Sequence, residues 1–114
     1  MNNWVIIGRI GKDADIKAFQ DGGKVANFNV AIDQQKKAAD GSYEKTTLWV
    51  PVSLSNPSDK LAACLTKGTM LLIEGKPRAR AYMQEGEAKP VLEMQAMRIE
   101  LLQVAKNEDL PFAQ

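Results

Sequence analysis

Residues 46–75 read TTLWVPVSLSNPSDKLAACLTKGTMLLIEG, and they change period twice. From Thr46 to Ser55 the chain alternates: Leu48, Val50, Val52 and Leu54 share one face, and Thr47, Trp49, Pro51, Ser53 and Ser55 share the other. Strict alternation is the mark of a half-buried strand. Pro51 has no N–H for a ladder, so its amide position is expected at an edge or a bulge. At residues 56–68 the period lengthens. Asn56-Pro57 reads as an N-cap and first helical residue, Leu61, Ala62 and Leu65 form a short apolar stripe, and Gly68 reads as the helix stop. From Thr69 the chain returns to an apolar strand, TMLLIEG. This unit is strand, short helix, strand.

On either side the chain is β-like. Residues 4–10 (WVIIGRI) form a β-branched apolar run closed by Gly11. Residues 15–19 (DIKAF) read as a short strand before the turn signal Asp21-Gly22-Gly23. From Val25 to Asp33 the residues Ala26, Phe28, Val30 and Ile32 alternate with polar ones. Gln34 to Lys45 (QQKKAADGSYEK) is polar on every phase and reads as a long hairpin loop. After Gly75, KPRARAYM continues the strand, with Ala79 and Ala81 small enough to turn inward, and Gln84–Lys89 reads as a turn. The last strand runs from about 90 to 103. There Leu92, Met94 and Ala96 keep one phase and Met97, Ile99 and Leu101 keep the other, a switch that predicts a bulge.

The order is strand, bent strand, strand, helix, strand, strand. It predicts an all-β domain over residues 1–104, an OB-fold: a five-stranded Greek-key barrel with one short helix between strands 3 and 4. Residues 105–114 form a short acidic tail, expected to be disordered.

Composition narrows the function. The 114 residues hold 15 Lys and Arg, 14 Asp and Glu, one Cys and no His, for a net charge of +1. Without His there is no Ser-His-Asp or Cys-His catalytic group and no His-bearing metal site. With Cys64 alone there is no internal disulfide, CxxC pair or zinc finger. No catalytic residue, metal site or cofactor is expected. The lone thiol suits a reducing, cytoplasmic setting. The first apolar run falls far short of a signal-peptide core or membrane span.

Two features invite a ligand. Trp49 points away from the face of Leu48, Val50, Val52 and Leu54, so its indole is available for a subunit contact, a ligand or a stacked base. Lys76, Arg78, Arg80 and Tyr82 are spaced by two and lie along one face of a strand, an arrangement that suits a single nucleic-acid strand. Lys36 and Lys37 share the polar loop with Tyr43 and Lys45. Trp4 reads as core or subunit packing, Phe28 as core, and Cys64 as a small buried hydrophobe. Phe19 fits either environment.

The segments MNNWVIIGRIGKDADIK, DGGKVANFNVAI, TTLWVPVSL, LTKGTMLLIEGKPRARAY and MQAMRIELL resemble, in that order, the bacterial single-stranded DNA-binding protein family over about residues 1–103. The resemblance implies an OB-fold, usually a homotetramer in the bacterial cytoplasm and nucleoid. Such proteins bind single-stranded DNA non-catalytically and without sequence preference, in replication, recombination or repair. It assigns base stacking to Trp49 and Tyr82; beside them, the basic residues Arg78, Arg80, Lys76, Lys36, Lys37, Lys17 and Lys67 are expected to meet phosphates.

Two family aromatics are replaced here, one by Ser55 and one by Lys36, which implies weaker and more salt-sensitive binding. The segment Asp109-Leu110-Pro111-Phe112 resembles the family's acidic tip for replication and repair partners, although Ala113 and Gln114 follow it. The compact chain also resembles primosomal replication protein N, which implies a dimeric adaptor. A protein-interaction OB module using the Trp49 face is a third reading.

Overall fold

In a computed structural model, which describes residues 1–105, alternating apolar residues build six strands and one helix. They are β1 (Trp4–Ile10), β2 (Asp15–Ala18), β3 (Lys24–Lys37), β4 (Tyr43–Ser55), α1 (Asp59–Cys64), β5 (Met70–Gln84) and β6 (Glu87–Gln103). The sheet order is β1-β5-β6-β4-β3-β2, and β1 also pairs with β3. That extra pairing closes five strands into a barrel, with β2 added outside β3. Only β4 and β6 run parallel, at Val52–Leu54 against Met94–Ala96, so the expected OB-fold is the one observed.

The inward phases meet in one core that includes Ile10, Phe28, Val30, Val50, Leu71, Ile73 and Met94. Each such side chain contributes about 1.5–3 kcal/mol relative to exposure. Leu65, just past α1, plugs one end of the barrel at 1% exposure. The ladder avoids Pro51 as expected. Asn29, opposite Pro51, gives its carbonyl to the Gly11 N–H at 3.1 Å on the far side of β3. Asn29–Pro51 is therefore a non-hydrogen-bonded pair, and the missing N–H costs the ladder nothing.

The phase switch in the last strand is a bulge. Between Glu74↔Arg98 and Gly75↔Ala96 the register skips Met97, and a second skip falls at Leu102. Gly75 is required beside the first. A Cβ there would run into the carbonyl of Gln95 and stand 3.0 Å from the Cα of Ala96.

Six expectations are corrected. The polar stretch Gln34–Lys45 is mostly strand: β3 and β4 stay paired to Lys37↔Tyr43, leaving five residues in the loop. Its alternation is invisible because this ribbon stands clear of the barrel, with solvent on both faces. For the same reason Leu48, expected on the core face, is 41% exposed. The helix cap is Ser58, whose Oγ accepts from the Leu61 N–H at 3.1 Å. Asn56 instead adopts φ 52° and ties β4 to β3, its N–H donating to the Lys24 carbonyl and its Oδ1 accepting from the Lys24 N–H.

Nor does Gly68 stop the helix, which ends at Cys64. Gly68 turns the chain into β5, its N–H donating to the Ile10 carbonyl at 2.8 Å and its carbonyl accepting from the Arg9 guanidinium at 2.9 Å. Finally, Ala79 and Ala81 are exposed, because the outer half of β5 forms a second ribbon with β6 beyond the barrel. That ribbon closes in a two-residue turn, Glu85-Gly86, both at positive φ, rather than in a six-residue loop. Trp4 packs partly buried against the core, Phe19 is 56% exposed, and Cys64 is half-buried.

Candidate functional site

Five strands aim polar residues at one shallow groove of about 460 Å³ on the outside of the barrel. Register explains how. Asp15 stands opposite Asn27, Asn27 opposite Ser53, Ser53 opposite Gln95 and Gln95 opposite Lys76. Alternation keeps such lateral neighbours on one face, so β2, β3, β4, β6 and β5 each supply one member of a polar row. The next row holds Asn29 and Pro51, with Glu93 opposite Arg78 on the β5–β6 side. Lys17, Arg78 and Arg80 bring three positive charges to the lining, and Asp15 and Glu93 bring two negative ones.

The charges are not equally free. The Nε of Arg80 is paired with Oε1 of Glu93, whose side chain is only 17% exposed. Arg78 has no ion-pair partner among the described residues. The amides of Asn27, Asn29 and Gln95 add neutral donors to the groove.

Trp49 borders this region. It is 56% exposed and stands opposite Ala31, whose small side chain leaves the indole uncovered on that side. A Cβ on Gly11 would overlap the six-membered ring of Trp49, so the indole rests against the glycine backbone. The ring is thus seated on one side and open on the other. Tyr82 is 43% exposed on the β5–β6 ribbon, opposite Lys89, whose Nζ is engaged by Glu87 at 3.0 Å.

The remaining expected residues are dispersed. Lys67 lies in the turn after α1, where its N–H donates to Asp13 Oδ1 at 2.8 Å, and it does not line the groove. Lys36 and Lys37 sit on the β3–β4 ribbon opposite Glu44 and Tyr43. By alternation they point to opposite faces, with Lys37 on the face of Trp49. The loop between those strands is fixed by Asp40, whose Oδ1 accepts from the Ser42 hydroxyl at 2.6 Å and from its N–H at 2.9 Å. These bonds hold the Asp40 carboxyl below the usual carboxylate range. Ser55 is exposed at the end of β4 and offers no ring. Asp109, Leu110, Pro111 and Phe112 lie outside the described residues.

The lining residues Asn27, Asn29, Gln95 and Glu93 were not singled out from sequence. Tyr43 and Lys45, noted only as loop residues, fall in the phase of Trp49. Counting by two from Trp49 back through Thr47 finds both.

Among the described residues no group of three or more His, Cys, Asp or Glu side chains is placed to hold a metal ion. No helix there is long and apolar enough to cross a membrane.

Residues 1–102 match the Single-strand binding protein family. A single-stranded DNA-binding protein of Treponema pallidum is 29% identical over 102 residues, spanning 90% of this chain and 58% of that one. Single-stranded DNA-binding protein 1 of Staphylococcus aureus is 26% identical over 110 residues, covering 96% of this chain and 70% of the other. This chain thus spans somewhat more than half to about two thirds of the length of such relatives. Among solved structures, the Plasmodium falciparum SSB complex with ssDNA superposes with a TM-score of 0.77 at 23% identity, over 90% of this chain and 96% of that one. A small single-stranded DNA-binding protein from Streptomyces coelicolor gives 0.71 at 15% identity, over 87% and 92%.

Proposed function

The chain belongs to the single-strand binding protein family, and we propose that it holds single-stranded DNA non-catalytically and without regard to base sequence. The observation that carries this reading is the pairing of a seated, half-open indole at Trp49 with a cationic groove lined by Lys17, Arg78 and Arg80. Every base has a π-face, so an exposed ring binds any sequence, while guanidinium and ammonium groups follow the phosphates. Trp49 and Tyr82 are the stacking platforms; Arg78, Lys76 and Lys17 are the leading phosphate contacts, with Arg80 available once it leaves Glu93. The relatives' names as single-stranded DNA-binding proteins support the choice of ligand, and the setting this implies is the bacterial nucleoid.

Self-association is part of the reading. Among the described residues, the β1 edge is paired with β3 only at Arg9 and Ile10 and Gly8 packs against Val30 and Ala31, so Trp4–Ile7 present an open edge. Val5 and Ile7 are about half exposed beside it, in the phase that faces out of the barrel. An open edge with apolar neighbours is a template for a second copy. We expect a homotetramer; native mass distinguishes it from the dimer of a primosomal-type adaptor.

The test is a fluorescence titration with oligo-dT. Binding is expected to quench Trp emission, and affinity to fall with salt at a log–log slope of about 0.7 per neutralised phosphate. Trp49→Ala should remove the quenching and weaken binding about 5- to 150-fold, the equivalent of about 1–3 kcal/mol for one stacked base. No quenching at low salt, or full affinity in Trp49→Ala, refutes the reading.

A further inference from the structure

Trp49 and Tyr82 both lie toward one end of the groove. From the row of Asn27, Ser53 and Gln95, Trp49 stands four residues back along β4. Tyr82 lies the same way, because its partner Lys89 is six residues before Gln95 on β6, which runs parallel to β4. The other end is built by β2. Asp15 and Lys17 line the groove, and alternation puts Phe19, two residues on, in their phase. One step past the last ladder pair, Ala18↔Lys24, the Phe19 N–H donates to the Gly23 carbonyl at 2.7 Å. A Cβ on Gly23 would stand 3.8 Å from Cδ2 of Phe19, so the ring lies beside a residue with no side chain to cover it. Phe19 is as exposed as Trp49. Its turn is closed by two bonds, from the Gly22 N–H to the Phe19 carbonyl at 3.1 Å and from the Gly23 N–H to Asp21 Oδ1 at 2.9 Å.

We propose that Phe19 is a stacking platform for single-stranded DNA at the β2 end of the groove, with Lys17 as the phosphate contact beside it. The proposal rests on the DNA-binding reading above and extends its track away from Trp49. An apolar ring held open to water next to a cation, on a face otherwise made of amides, hydroxyls and charges, suits a base plane and its phosphate. Val25 and Ser55, in register with Lys17, carry no ring, so Phe19 is the platform available at this end. The nearest acid, Asp21, is engaged by the Gly23 N–H, and Asp15 lies four residues back in the groove. Each ring is four residues from the polar row, so Phe19 and Trp49 are about 27 Å apart along the strands. At ~3.4 Å per stacked base that span takes roughly eight nucleotides, fewer if the strand is stretched.

The experiment titrates the full chain with oligo-dT of about four and about twenty nucleotides, with a thermal melt to confirm that each variant is folded. Phe19→Ala is expected to weaken binding of the longer oligonucleotide about fivefold or more. It should leave the shorter one, which engages the Trp49 end alone, near its original affinity. Phe19→Leu keeps an apolar side chain without the ring and should weaken binding as Ala does, whereas Phe19→Tyr should hold the original affinity. Lys17→Ala should lower the salt slope by about 0.7. Phe19→Trp in a Trp49→Phe background should restore quenching by the longer oligonucleotide. If the unsubstituted chain binds and Trp49→Ala weakens it, yet Phe19→Ala changes neither length or Phe19→Leu binds at full strength, the platform is overturned and the groove stands. If the unsubstituted chain binds neither oligonucleotide, the reading of function fails and the platform falls with it.

Discussion

Glu93 is a negative charge inside a groove proposed to receive phosphates, and replacing it should tighten binding. Its carboxylate lies opposite Arg78 in register and is paired with the Nε of Arg80, so it occupies the place a phosphate would take beside that guanidinium. Glu93→Gln keeps the shape and removes the charge. With a phosphate about 6 Å away and an effective dielectric of about 20, repulsion from the carboxylate is roughly 3 kcal/mol. Arg80 is 56% exposed and salt screens the site, so the realised gain is nearer 1–2 kcal/mol, a factor of about 5–30 at low salt. The freed Arg80 should also steepen the log–log salt slope by up to about 0.7. The carboxylate is mostly buried but Gln keeps an acceptor oxygen for the Arg80 Nε, so losing the charge should cost about 1–2 kcal/mol of stability and leave the variant folded. The assay is an oligo-dT titration across a salt series, with a thermal melt as control. Unchanged or weaker affinity, with no change in slope, would show that Glu93 serves to hold Arg80 in its binding pose rather than to compete with DNA.

Two further predictions concern glycines at close approaches. Gly75→Ala forces a methyl group against the backbone of Gln95 and Ala96 at the bulge, where no flexible side chain is available to yield. We expect a loss of about 2–3 kcal/mol, read as a melting temperature lower by roughly 10–20 °C; a drop of under about 3 °C would remove Gly75 from the account of the bulge. Gly11→Ala pushes instead on the Trp49 ring, which has room to swing outward. It should leave the melting temperature nearly unchanged, raise iodide quenching of Trp emission and weaken oligo-dT binding. If emission and affinity both match the unsubstituted chain, the indole is not seated on Gly11.

How far the sequence was legible depended on whether a strand had a core to face. The bounds of β1 follow from its apolar run, and the bulge at Met97 follows from the exchange of phase between Ala96 and Met97. The outward orientation of Trp49 was readable because Val50, Val52 and Leu54 fix the inward phase beside it. Beyond Val30 and Val50 that contrast disappears. The ribbon from Gln34 to Lys45 is held by the ladder alone, so polar residues on both phases made strand look like loop. The same error concealed that Lys36 and Lys37 face opposite ways and that Tyr43 shares the face of Trp49. At Asn56-Pro57-Ser58 the local signal had two solutions. Tertiary structure chose between them by giving Asn56 to Lys24 and leaving Ser58 to cap the helix.

A net charge of +1 is small for a protein proposed to hold a polyanion, and the structure shows why the sum misleads. Residues 1–90 hold 13 basic and 10 acidic side chains, and residues 91–114 hold 2 and 4. Affinity for a strand depends on which charges share a face, and alternation sorts them. Lys76, Arg78 and Arg80 fall in one phase of β5 and Lys37 and Lys45 in one phase of the β3–β4 ribbon, while Lys36 lies on the other face, opposite Glu44. Within the groove itself the excess is one charge, because Asp15 and Glu93 oppose the three cations. So thin an excess supplies little attraction on its own. On the proposed reading, binding of useful strength then rests on the exposed rings, with Trp49 seated against Gly11. Charge is left to set the salt dependence more than the affinity. That division makes a specific demand: at high salt, where phosphate contacts are screened, aromatic substitutions should still weaken what binding remains, while Lys37→Ala should no longer matter.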